Sequence, residues 1–193
     1  VVAPGASLTL VNLVLTGGQS AADALGGGAV VVSSNAALRA VDCAFNQNQA
    51  QAGDGGAISV QSRAFVSLVR TSFSLNIATK GDGGAVALQS SARLVMHNCS
   101  FTRNAAYFSG GALKLTGSSA AGTLVAFTGN SAQRGGAVAS WSSPGTYLAR
   151  ASFAQNTAVY GAAVYDFNNR LSILDSVFDA NSVADGSLRQ VFA

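Results

Sequence analysis

Few residues in this chain are equipped for chemistry. Asp54 and Asp82 sit in matching contexts, Gly53-Asp54-Gly55-Gly56 and Gly81-Asp82-Gly83-Gly84. Two carboxylates brought together can share a proton or hold a divalent cation. They can equally be exposed corner residues, with Lys80 and Arg134 near enough to soften their repulsion. The glycine-aspartate nonapeptide of calcium-binding β-rolls is absent. His97 is the only histidine, so no multi-histidine metal site exists and a catalytic triad would rest on it alone. It reads as a surface or corner residue. Asn98-Cys99-Ser100 is a glycosylation sequon, which marks Asn98 for modification in a secreted chain. Trp141, Tyr147 and Tyr165 interrupt a run of small residues. They read either as packing beneath a loop or as an exposed interaction patch.

Charge narrows the choice further. The chain has 193 residues, a net charge of +3 and only 10% charged residues, and every acid is aspartate. Its 11 basic residues form no run, which argues against a nucleic-acid partner. No apolar run is long enough for a membrane-spanning helix. Val1-Val2-Ala3-Pro4-Gly5 has no basic start, so no signal peptide is read there. The chain opens inside a repeat without a polar cap, so residues 1–193 are expected to form a single domain within a longer molecule.

The elements that position these residues come from one repeating pattern. Phe45, Phe73, Phe101, Phe127, Phe153 and Phe178 recur every 25 to 28 residues, with Leu15 in the same slot 30 residues earlier. Three places after each Phe stands an asparagine: Asn48, Asn76, Asn104, Asn130, Asn156 and Asn181. A glycine pair recurs at Gly27, Gly55, Gly83, Gly110 and Gly135, then degenerates to Gly161-Ala162 and to Asp185-Gly186-Ser187-Leu188. A fixed period of this size means a solenoid, in which each unit buries its apolar face only against its neighbours.

Alternation decides which solenoid. No segment has apolar residues at helical spacing, whereas Ala112-Leu113-Lys114-Leu115-Thr116 alternates with period two. This places Leu113 and Leu115 inside and Lys114 in water. A leucine-rich repeat needs Leu two places before the last apolar residue. That slot holds Cys43, Thr71, Cys99, Val125, Ala151 and Ser176. The hexapeptide helix has too short a coil. What remains is an all-β fold, a parallel β-helix of about six to seven coils with 25–30 residues in each. Right-handed winding is expected because parallel crossovers overwhelmingly are. The Phe rings stack inside, and Asn suits a left-handed corner while its amide bonds to the next Asn. The glycine pair permits positive φ and close backbone approach.

The same register makes further assignments. Three places before each Phe lies an outward column, Asn12, Asp42, Arg70, Asn98, Leu124, Arg150 and Asp175, in which Asp42 and Arg70 form an exposed ion pair. Cys43 and Cys99 share an inward column with Thr71 between them, too far apart for a disulfide. Parity puts Ala139, Trp141 and Tyr165 outward. It would also put Asp166 inward and Phe167 outward, unless a bulge swaps them.

FxxN paired with GGA and an aliphatic residue resembles the middle repeat of the chlamydial polymorphic outer membrane proteins. The resemblance runs from about Leu8 to Leu188. It implies a pectin-lyase-like right-handed β-helix that is exported and often adhesive. The function it implies is a non-enzymatic, extracellular or cell-surface solenoid with a structural or adhesive role. Its partners would be a protein or a glycan, with end-to-end or lateral self-association and no cofactor. The alternative is a polysaccharide-binding or polysaccharide-cleaving protein on the same scaffold. The outward column is too sparse in acids for a lyase groove.

Overall fold

Every strand pairs in parallel with the equivalent strand one coil away. A computed structural model describes residues 1–21 and 25–184, so the degenerate copy at Asp185-Gly186-Ser187-Leu188 lies outside the described residues. Three parallel sheets of 12, 7 and 6 strands wrap a β-solenoid, and no helix occurs among the described residues.

The register is set by what each column buries. Phe45, Phe73, Phe101, Phe127 and Phe153 are fully buried, and Leu15 aligns with Phe45 at the head of the column. Their rings, with Phe178, stack at centroid spacings of 4.6–5.1 Å and interplanar angles of 4–14°. This is the interstrand spacing of a sheet, so the rings stack because the backbones do. Phe178 ends the stack and is 52% exposed. Around the rings pack the columns that include Leu38, Val66 and Leu94, and Leu68, Met96 and Leu148. Gly122 leaves room for the Met96 and Leu148 side chains, which would crowd a Cβ there to about 3 Å.

The corners are left-handed, but not where asparagine was expected to take them. The residues with positive φ are those just before each Asn: Gln47, Leu75, Arg103, Gly129, Gln155 and Ala180, at 47–64°. Asn48, Asn76, Asn104, Asn130 and Asn156 do not have positive φ and are buried. Asparagine's tolerance of the left-handed region loses here to its amide, which must point inward to bond. The outward column forms a second left-handed corner, with φ of 46–57° from Asn12 to Asp175.

The glycine pair makes another corner. Gly83 takes φ of 65°, and a Cβ on Gly84 would meet the Gly111 carbonyl oxygen at 2.1 Å. Asp166 and Phe167 keep the register opposite Ser140 and Trp141, so no bulge swaps them. The inward Asp166 is exposed and accepts a hydrogen bond from Asn169 at 2.5 Å, which removes the need for a bulge.

Phe101 is sandwiched by Phe73 and Phe127 at 4.8 and 5.1 Å. Phe101→Ala is expected to cost about 3–5 kcal/mol in equilibrium denaturation, as large core truncations do. A loss of less than about 1 kcal/mol would show that the site collapses around the smaller side chain.

Candidate functional site

The two aspartates singled out for chemistry meet at the glycine corner of the middle coils. Asp54 and Asp82 lie on neighbouring coils, and the Asp82 backbone N–H donates to Asp54 Oδ1 at 2.8 Å. Asp54 Oδ2 accepts from Gln89 Nε2 at 2.9 Å. Both oxygens of Asp54 are therefore engaged. Among the described residues, no group of three or more His, Cys, Asp or Glu side chains is placed to hold a metal ion.

The counter-ion of this corner is not Lys80 or Arg134. It is Lys114, whose Nζ stands 3.8 Å from Asp82 Oδ2. Alternation gave the correct side of the sheet, since Leu113 and Leu115 are fully buried inside. Lys114 nevertheless stays out of the water, at 5% exposure. Trp141 roofs it, with the ring centroid 4.3 Å from Nζ. Ala139, also on the outward side, is fully buried between the Lys114 and Tyr165 strands.

Burial dominates the electrostatics. Loss of water pushes the Asp82 carboxyl up, and the Lys114 charge opposes this. Loss of water brings the Lys114 amine down to about 8, with Asp82 and Asp54 opposing. Ser109 also holds the Asp82 carboxyl down, yet no hydrogen bond of normal geometry reaches Oδ1. Trp141 Nε1 is likewise buried without a partner. Asp82, Lys114, Arg134 and Trp141 surround a cleft of about 330 Å³.

The aromatic patch expected at Trp141, Tyr165 and Tyr147 divides in two. Trp141 packs against Tyr165 at 5.6 Å and Phe167 at 5.4 Å. Arg134 stands 5.7 Å from the Trp141 ring and 6.0 Å from that of Tyr160. Tyr147 belongs to another sheet, on the row of Ala121 and Ser172, and is 44% exposed. The Trp141 cluster, a ridge of stacked aromatics, and Tyr147 thus lie on separate surfaces.

The remaining candidates fall on corners and in the interior. His97 is exposed and bonds through Nδ1 to Thr123 Oγ1 at 2.9 Å. Asn98 is exposed at a left-handed corner, φ 52°. Arg70 grips Asp42 through two bonds of 2.6 and 2.8 Å. Those bonds hold the Asp42 carboxyl below its ordinary value and the Arg70 guanidinium above its own. Cys43 and Cys99 are free and buried, with Thr71 in the coil between them. Burial pushes the Cys99 thiol up.

Sequence reasoning missed the Asp82–Lys114 pair. A signal was present, because the glycine register sets Trp141 on Thr116, two places from Lys114. A lysine beside a stacked tryptophan has a roof available.

These features define a β-solenoid repeat protein whose coils are built on FxxN and glycine-pair columns. Residues 42–61, which carry Phe45, Asn48 and Gly55-Gly56-Ala57-Ile58, match the Chlamydia polymorphic membrane protein (Chlamydia_PMP) repeat. No curated protein and no solved structure matches the chain.

Thiol titration in denaturant without reductant should find both Cys43 and Cys99 free. Titration that finds none, with a mass lower by two hydrogens, would contradict the coil order. Lys114→Met, which has no titrating group at this position, is the reference for the pH dependence of the pair. The unfolded lysine titrates at 10.5 and the folded one at about 8, so the unfolded chain binds more protons between those values. Wild-type stability should therefore rise relative to Lys114→Met as pH climbs through that window, read by denaturant unfolding at each pH. A flat difference would show that the amine is solvated.

Proposed function

We propose that this chain is a non-enzymatic, extracellular or cell-surface β-solenoid with a structural or adhesive role. The supporting observation is the unbroken Phe and Asn ladder, joined to the match of residues 42–61 with a polymorphic membrane protein repeat. A ladder of this kind fills the interior and leaves the outer faces as working surface. The Trp141 ridge and the row carrying Tyr147 are the parts of that surface shaped for contact with a protein or a glycan. Asp54 has both oxygens engaged in hydrogen bonds, so this acid serves the corner.

The test is surface labelling of intact cells that make the protein, with an antibody raised against this chain. Labelling without permeabilisation, removed by external protease, is the expected result. Labelling only after permeabilisation would overturn the surface assignment.

A further inference from the structure

The geometry points to a binding groove for an acidic polysaccharide on the outer face of the 12-stranded sheet, with Arg93 and Arg170 as its two anionic subsites. This rests on the surface reading above and names a partner for a different face from the Trp141 ridge. The outward rows of the strands Ala37–Val41, Phe65–Val69, Arg93–Thr102, Ser119–Thr128, Thr146–Ala149 and Leu171–Leu174 carry the face. Ahead of the corner column those rows hold Arg39, Arg93, Arg170 and His97, and no acid. Asp42 and Asp175 stand only at the corner column that borders them.

Register places the two anchoring arginines on one line. Arg93 pairs with Ser119, the Ala120 N–H donates forward to the Gly145 carbonyl, and the Thr146 N–H to the Arg170 carbonyl. Arg93 and Arg170 are thus three coils apart, about 14 Å along the axis at ordinary strand spacing. Between them the surface dips into a groove of about 470 Å³ lined by Ser119, Ala121, Gly145 and Tyr147. The floor is made of small residues, and Tyr147 rises from it half-exposed. Neither guanidinium takes part in the ion pairs found among the described residues.

Each part selects for the ligand. A guanidinium presents a planar fork that matches a carboxylate or a sulfate with two parallel bonds. Two forks so far apart cannot grip one small anion, but an extended chain with spaced charges reaches both. Tyr147 offers an apolar ring face to a sugar ring and a hydroxyl to its rim. A nucleic-acid strand would call for successive aromatic platforms, and this groove has a single ring. Carboxylated and sulfated chains share the chemistry, and the probes separate them.

The experiment is calorimetric titration of the whole chain with heparin oligosaccharides, with polygalacturonate oligosaccharides and with neutral dextran. Binding to one or both acidic chains and not to dextran is expected. The Arg93→Gln/Arg170→Gln double variant should lose about tenfold or more in affinity, as charge-assisted bidentate bonds are removed. Lys80→Gln/Arg103→Gln, which removes the same charge from exposed positions elsewhere, should change affinity by less than about twofold in moderate salt. Circular dichroism and melting of both double variants report whether the fold is kept. Arg93→Lys/Arg170→Lys should recover only part of the loss if the fork geometry matters. No binding to either acidic chain overturns the proposal, and so does an equal loss in the Lys80/Arg103 control. Single-stranded DNA binding as tightly, with the same arginine dependence, would also overturn it in favour of a nucleic-acid surface. A surface-labelled chain that binds no acidic glycan would sink this proposal and leave the surface assignment standing.

Discussion

A buried asparagine amide joins each coil to the next, and the rest of the solenoid is arranged around it. Asn76 shows the full pattern. Its Nδ2 donates to the Phe45 carbonyl at 2.8 Å and to Asn104 Oδ1 at 2.9 Å. Its Oδ1 accepts from Asn48 Nδ2 at 2.9 Å and from the Asn48 backbone N–H at 3.0 Å. Every donor and acceptor of the side chain is used, which is the condition for burying an amide without penalty. Aspartate lacks the donors, and glutamine would reach too far. The Phe stack adds apolar burial at the same spacing, so ring and amide enforce a common register. In the first coil Gly18 takes the amide's place, and only its backbone N–H remains to donate to Asn48 Oδ1 at 3.0 Å.

This redundancy explains what could be read from sequence. Phe, Asn and the glycine pair perform the same task in every coil, so the sequence repeats them at coil length. Three positions above all resisted. Asn prefers left-handed corners in isolation, but here its neighbours Gln47, Leu75 and Arg103 take that conformation so that the amide can turn inward. Lys114 has the alternation of a solvated residue, and alternation reports a side of the sheet without reporting what covers it. Phe167 looked too apolar to face outward, yet the ladder to Trp141 fixes it there, and Trp141 shields part of its ring.

The corner cluster follows from coil length. The first corner glycine follows the FxxN asparagine by seven positions in the coils of Asn48 and Asn76, and by five in those of Asn130 and Asn156. The longer arcs carry Gly53-Asp54 and Gly81-Asp82, and their corner brings Asp82 to Lys114 of the following coil. The arginine groove, by contrast, lies on rows where coil length varies little, so its spacing is inherited from the strands. One surface is tuned by insertions and the other by the lattice of the fold.

Most of the corner hydrogen bonds also share a direction. The backbone N–H groups of Gly27, Gly28, Ala29 and Val30 all reach forward to carbonyls of the next coil, as do those of Asn12, Gln47 and Asp42. The asparagine backbone N–H groups do the same. Strand interiors alternate, whereas at the corners the forward bonds outnumber the backward ones, such as those from the N–H groups of Ser33, Gln61 and Phe108 to the Val2, Val32 and Gly81 carbonyls. A coil therefore presents surplus donors on its forward face and surplus acceptors on its rear face. The stack is electrically polar along its length, with the positive side leading. Another coil adds in continuous register best in one orientation, because two forward faces would set their surplus donors against each other.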